Sequence, residues 1–288
     1  MKKGKLSTIF FTLAAIFGLS LLLYPSISDW WNSTVQSGVV DNYQAKVKKL
    51  DEDEYNRLWE SARAYNKRLT EDNNGFFLSK EQLDEYKSSL NISGDGVMGY
   101  VEISVINCML PVYHGTDDAL SIAAEHLEWS SLPVGGESTH CVISGHRGLP
   151  TATLFTNLDK MIVGDLFVLH VLNEELTYEV DQIRVVEPKE TNDLRIEQGK
   201  DLVTLVTCTP YGINSHRLLI RGHRVDNVEA AKKVRITSDA VKVDRLLVSA
   251  ILVVPIIIIM FTAISIFEKI KKRRNISIKR SGENEKQL

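Results

Sequence analysis

The sequence predicts a mostly β domain with a closed sheet, preceded by helices and held between two membrane-crossing segments. Three observations carry this expectation. Short runs rich in β-branched and aromatic residues recur from Gly99 to Arg221, separated by turn residues. Two long segments, Leu6 to Tyr24 and Leu246 to Phe267, contain no charged residue. Between them, the charged stretch Asn42 to Asp72 repeats apolar residues at helical spacing.

Each uncharged segment has the ~20 residues needed to cross a bilayer as a helix. Lys2, Lys3 and Lys5 precede the first; Lys269, Lys271, Lys272, Arg273 and Arg274 follow the second. Basic residues at both outer ends place both termini in the cytoplasm and everything between on the far side. Pro255 is tolerable in a membrane helix, where neighbouring groups satisfy the freed carbonyl. The expected order is a cytoplasmic start at 1–5, a transmembrane helix or uncleaved signal at 6–25, and an N-terminal helical region at 26–93. A β domain at 94–226, a lysine-rich tether at 227–245, a second transmembrane helix at 246–267 and a basic cytoplasmic tail at 268–288 follow. The first segment could instead be a cleaved signal, with Ser26-Ile27-Ser28 as its small-residue site. Either choice exports residues from about 29 to 244.

In the exported part, Val47, Leu50, Leu58, Ala62, Tyr65 and Leu69 mark the apolar face of one amphipathic helix or two. Glu81 to Leu90 reads as a short helix, and Gly94-Asp95-Gly96 as a turn. The expected strands are Tyr100–Ile106, Met109–Tyr113, His140–Ser144, Leu166–Leu172, Leu176–Val186, Leu202–Cys208 and Leu218–Arg221. Their spacing favours a closed β architecture and leaves sandwich and barrel open.

Composition narrows the function. The 288 residues include 34 basic and 37 acidic ones, a net charge of −3, so no basic balance points to nucleic acid. Three cysteines are too few and too odd for a disulfide framework in an exported protein. Cys108 and Cys141 lie in strand-like runs and read as small buried hydrophobes; a bond between them would leave Cys208 free. No Cys or His cluster has metal spacing, and no motif implies a cofactor.

The chemistry concentrates at two strand exits. Thr204-Leu205-Val206-Thr207-Cys208-Thr209 reads as a buried strand that Pro210 ends by removing a backbone donor. Pro210, Gly212, Asn214 and Ser215 form a turn, and Leu218-Leu219-Ile220 returns, so a hairpin brings Arg217 alongside Cys208. A thiol beside a fixed guanidinium suits a nucleophile whose product oxyanion meets a waiting cation. His146 follows the strand Thr139–Ser144, between Gly145 and Gly148, whose missing side chains let a substrate backbone come close. Among the seven histidines, His216 is the rival, but strand alternation sends it to the face opposite Arg217. Arg147, Arg221 and Arg224 read as solvated charges or substrate-facing helpers.

Thr204-Leu205-Val206-Thr207-Cys208 with Arg217 resembles the signature of the sortases, cysteine transpeptidases of the Gram-positive cell surface. The strings Cys208-Thr209-Pro210-Tyr211-Gly212-Ile213-Asn214, His216-Arg217-Leu218-Leu219, Arg221-Gly222-His223-Arg224 and Ser144-Gly145-His146-Arg147-Gly148-Leu149-Pro150 resemble class C, the pilin-polymerising branch. The resemblance spans about Gly94 to Val225 and implies an eight-stranded barrel. It also implies Cys208 as nucleophile, His146 as general acid and base, and Arg217 as the group that steadies substrate and oxyanion. Leu194, Ile196 and Thr207 are the candidate pocket residues. Leu194 and Ile196 could equally pack as a short helix on the barrel.

By the same resemblance, the substrate is a Leu-Pro-x-Thr-Gly-like sorting signal, cleaved between Thr and Gly through a thioester. The acyl group passes to a pilin lysine amine, building covalent pili without a cofactor. The expected partners are pilin subunits bearing sorting signals and acceptor lysines, together with the lipid bilayer, around a monomeric exported domain. A wall-anchoring sortase using a peptidoglycan amine, a hydrolytic cysteine protease and a non-enzymatic membrane scaffold are the alternatives. One departure stands out. Class C members carry an Asp-Pro-aromatic lid, whereas this chain has no proline between Pro25 and Pro111. Asp72-Asn73-Asn74-Gly75-Phe76-Phe77 keeps only the aromatics.

Overall fold

The computed structural model describes residues 2–71, 78–115 and 121–227, with isolated positions at 255, 256, 262 and 270. The chain divides into two compact units, and the one that carries the chemistry spans residues 28–241. The other contains the apolar beginning of helix α1 (Lys2–Val47). From Thr12 onward α1 is long and apolar enough to cross a membrane, with Leu13, Phe17 and Leu21 exposed. It is the one such helix among the described residues. The expected second span at 246–267 falls almost entirely outside them, as do most of the tether and the stretch Asp72–Phe77.

Helix α1 is longer than its periodicity suggests, because it continues unbroken through Pro25 into the Ser-, Asn- and Thr-rich stretch before residue 42. Those residue types have modest helix propensity. Tertiary packing supplies the difference: Gln36, Val40, Tyr43 and Val47 recur at four-, three- and four-residue steps and are all buried. The Tyr43 hydroxyl donates to the Met98 carbonyl at 3.0 Å and accepts from the Leu172 amide at 2.9 Å, tying α1 to the barrel. Helix α2 (Glu52–Glu71) buries Trp59, Ala62, Tyr65 and Asn66. Asn66 donates to the Leu132 carbonyl at 3.0 Å and accepts from the Leu132 amide at 2.7 Å. Helix α3 (Lys80–Ser88) opens on a reciprocal cap between Ser79 and Gln82 and buries Tyr86 completely.

Eight strands close into a barrel in the order β1-β2-β3-β4-β7-β8-β6-β5. They are β1 (Val97–Ile103), β2 (Cys108–His114), β3 (Ala124–His126), β4 (Thr139–Ser144), β5 (Leu166–Val171), β6 (Glu174–Val186), β7 (Asp201–Thr209) and β8 (His216–Arg224). Seven match expected strands, and β3 is new. Residues 104–106 form a 3-10 turn instead of extending β1, because Asn107 takes a left-handed conformation with φ 51°. The pairing of β4 with β7 is parallel and that of β7 with β8 antiparallel. Inside, Phe167 stacks on Tyr178 at 5.6 Å between ring centres. Val203, Leu205, Leu218 and Ile220 face this core. The opposite face of β7 and β8 carries Val206 and Leu219, which join Val142, Val186 and Leu194 in a second apolar cluster.

Candidate active site

The hairpin read from the sequence forms: Cys208 on β7 lies directly opposite Arg217 on β8. Directly opposed residues of an antiparallel pair share one face. That face is the one bearing Val206 and Leu219, the pair two positions further into the sheet. Cys208 and Arg217 are half-buried there, at the end of the apolar patch. The guanidinium is steadied by its own turn, with Nη1 donating to the His216 carbonyl at 3.2 Å and the Asn214 carbonyl at 3.4 Å. His216 pairs with Thr209, one residue out of phase, and its Nδ1 meets the Ser215 hydroxyl at 2.8 Å.

The parallel strand β4 brings His146 to the same end of the sheet. Ser144 pairs with Val206, so His146 and Cys208 each lie two residues beyond that pair, on neighbouring strand exits. Strands so paired run about 4.8 Å apart. Two bonds continue the ladder: Gly145 N donates to the Val206 carbonyl at 3.0 Å, and Thr207 Oγ1 donates to the Gly145 carbonyl at 2.7 Å. Neither the His146 ring nor the Cys208 thiol has a hydrogen-bond partner among the described residues.

The other candidates are spoken for. All three cysteines are free, but burial pushes the Cys108 thiol up to about 12 and the Cys141 thiol well above its ordinary value. Both are therefore neutral at neutral pH, and the thiolate is the nucleophilic form. His126 is fully buried between the Ser131 carbonyl and Tyr86. His140 donates from Nδ1 to the Arg195 carbonyl and accepts from Thr204 Oγ1 at Nε2, each at 2.7 Å. Desolvation holds both rings, and that of His114, below the ordinary histidine range. His170 stacks on Tyr100 and bonds Glu102.

Several expectations change here. The glycines beside His146 are occupied by protein. A Cβ on Gly145 would lie 2.6 Å from the Phe155 ring, and one on Gly148, at φ +78°, would lie 3.2 Å from Tyr211. Their role is close packing under and over the His146 turn, not substrate approach. Arg147 is not a solvated charge either. Its side chain is 9% exposed, pairs with Asp159 and donates to Thr209 Oγ1 at 3.2 Å, linking the two strand exits. Arg221 is held by Asp181 at 2.9 Å and Glu197 at 2.8 Å. Of the pocket candidates, Leu194 packs in the apolar cluster and Ile196 is half-buried outside it. Thr207 is buried, and alternation turns it away from the Cys208 face. The sequence offered no sign of the link from Arg147 to Thr209, because 62 positions separate them.

This barrel, with a thiol, a guanidinium and an imidazole at one end of the sheet, has close counterparts. A sortase domain matches residues 101–225. Sortase D of Bacillus subtilis is 30% identical over 153 residues, covering 51% of this chain and 74% of that protein. The crystal structure of sortase C1 from Streptococcus agalactiae shares 49% identity with a TM-score of 0.64, over 66% of this chain and 98% of that one. Clostridium perfringens sortase C, solved with the C-terminal cell wall sorting motif, shares 43% identity with a TM-score of 0.59, over 66% and 99%. The chain belongs to the sortase family. It is a sortase enzyme, homologous in sequence and structure to the class C sortases of Gram-positive bacteria.

Proposed function

We propose that this enzyme builds covalent pili by transpeptidation of a Leu-Pro-x-Thr-Gly-like sorting signal. The observation that carries the reading is the convergence of Cys208, Arg217 and His146 at three neighbouring strand ends, with the thiol and imidazole unengaged. The Cys208 thiolate attacks the threonine carbonyl, and a thioester forms as the Thr–Gly amide breaks. Arg217 steadies the developing oxyanion. His146 as imidazolium protonates the departing glycine amine. It then accepts a proton from the incoming pilin lysine amine, which attacks the thioester, forms an isopeptide bond and frees the thiol. The buried apolar cluster of Val142, Val186, Leu194, Val206 and Leu219 lies on the Cys208 face of β7 and β8 and fixes the strand ends that carry the thiol and the guanidinium. The apolar start of α1 and the segment 246–267 hold both ends of the exported domain at the membrane, where pilins awaiting cleavage are also held.

The test is mass spectrometry of the full chain with a sorting peptide, followed by acceptor competition. The expected result is an acyl adduct on Cys208, lost in Cys208→Ala, that transfers to a pilin lysine faster than to a peptidoglycan amine or water. An adduct on Cys108 or Cys141 overturns the nucleophile. Preferential transfer to the wall amine or to water overturns pilus assembly while leaving the thioester chemistry intact.

A further inference from the structure

His146 begins a long connection that leaves β4 and re-enters the barrel at β5 (residues 145–165). Its near end is fixed by the Gly145 ladder bonds and by Arg147. The turn is closed on itself by Phe155 N donating to the His146 carbonyl and by Gly148 N donating to Thr156 Oγ1, both at 3.1 Å. Its far side is gripped by an element remote in sequence. Asp29 Oδ1 on helix α1 accepts from the Thr153 amide at 2.6 Å and from Thr153 Oγ1 at 2.7 Å. One helical turn on, Asn32 Nδ2 donates to the Thr151 carbonyl at 2.9 Å. A carboxylate accepting two short bonds is among the stronger polar contacts a loop can make.

We propose that Asp29, assisted by Asn32, is a positioning residue that sets the reach of His146 toward Cys208. The reasoning is geometric. The backbone of residues 146–156 forms one hydrogen-bonded loop, so its rotation about the Gly145 end carries the imidazole with it. The grip at Thr151 and Thr153 opposes that rotation from outside the barrel. Because a general acid and base acts only at hydrogen-bond reach, a displacement of about 1 Å there costs on the order of a hundredfold in rate. Asp29 lies on the same helix as the apolar N-terminal segment, so the helix that leaves the membrane segment also holds the catalytic loop.

The inference rests on His146 as proton carrier, and the experiment separates the two. Full-length protein in detergent micelles is assayed for transpeptidation as His146→Ala, Asp29→Ala, Asp29→Asn and Thr153→Val. Asp29→Ala should lower kcat by about ten- to a hundredfold, with KM for the sorting peptide within about twofold. Asp29→Asn should restore kcat to within about threefold, because one amide oxygen can accept both Thr153 bonds. Thr153→Val, which removes one bond and leaves the fold's core untouched, should show a smaller loss of the same kind. Full activity in Asp29→Ala alongside an inactive His146→Ala overturns the positioning role and leaves the mechanism standing. An equal loss in Asp29→Ala and Asp29→Asn, or a loss confined to KM, also overturns it. Activity retained in His146→Ala removes the proton carrier itself and the inference with it.

Discussion

Gly145→Ala perturbs the site without touching a reacting group. A Cβ at this position would meet Phe155 Cδ2 at 2.6 Å, with Cε2 and Cγ at 3.0 Å. Ordinary contact begins at 3.4 Å, so 3.4 − 2.6 leaves 0.8 Å for something to yield. The backbone cannot easily give, because Gly145 N is bonded to Val206 and its carbonyl to Thr207. Phe155 is fully buried, so the ring cannot swing out either. The strain is therefore shared between the barrel core and the turn that carries His146. Overpacking of this kind costs about 1–3 kcal/mol of stability. A shift of His146 approaching 1 Å should cost about ten- to a hundredfold in kcat. The assay is peptide transpeptidation together with thermal unfolding of each variant. Adding Phe155→Leu to Gly145→Ala removes the ring edge and should recover part of both losses. Activity within twofold of the parent, in a Gly145→Ala protein that is destabilised as expected, would show that the position of His146 is not critical. Unchanged stability would instead show that the core accommodates the methyl group.

Three further outcomes follow from the structure. Burial holds His126 neutral, its pKa lowered from 6.5 to about 3, so the unfolded chain binds the extra proton first as pH falls. Its stabilising contribution is complete above about 6.5 and is lost progressively below it. Between pH 6.5 and pH 5 His126 alone should remove about 1.5 kcal/mol, with His114 and His140 adding in the same direction. Urea midpoints that stay constant across that range would contradict the burial argument. Arg217→Lys should lower kcat/KM by about 10²–10³, because an ammonium cannot reproduce a planar multi-donor fork. His216→Ala, on the opposite strand face, should stay within about threefold of the parent. Near-parental rates for Arg217→Lys would reduce Arg217 to a general charge.

What the sequence revealed follows the physics of each element. Strand β7 was legible because seven consecutive residues, Leu202–Cys208, are apolar, β-branched or small, and a proline closes the run. Its partner β8 was legible because the turn between them is dense in Pro, Gly, Asn and Ser. The opposition of Cys208 and Arg217 came from hairpin geometry alone. Strand β3 was not legible: three residues, Ala124-Glu125-His126, carry no periodic signal, and His126 is held by Tyr86 of α3, an element far back in the sequence. Nor could any local pattern show that β4 lies parallel to β7, because parallel partners need a long crossover. His146 was singled out by its position at a strand exit and by family likeness, and its alignment with Cys208 needed the fold. The glycines around it were noticed for the wrong reason, since the space beside them is filled by Phe155, folded back from further along the same connection, and by Tyr211 of the β7–β8 turn.

Under the proposed mechanism, selectivity at this site comes as much from silencing rival thiols and imidazoles as from preparing Cys208 and His146. The chain contains three thiols and seven imidazoles, any of which could compete for substrate or proton. The barrel buries Cys108 and Cys141 where the thiolate is costly, and it saturates His126 and His140 with fixed partners. Burying a polar ring is tolerable only when its nitrogens are paired, so the same bonds that stabilise those histidines exclude them from proton transfer. Cys208 and His146 are half-buried at strand ends, where the backbone is held by the sheet while the side chain projects past its last hydrogen-bonded pair. Rigid backbone with unengaged reactive atoms is the condition a transferase needs, because acyl donor and amine acceptor must each dock without first breaking an internal bond. That condition also explains the supports clustered around His146. The Thr207 hydroxyl, the Arg147 guanidinium and the Asp29 carboxylate all act on the loop's backbone or flanks, leaving the imidazole free.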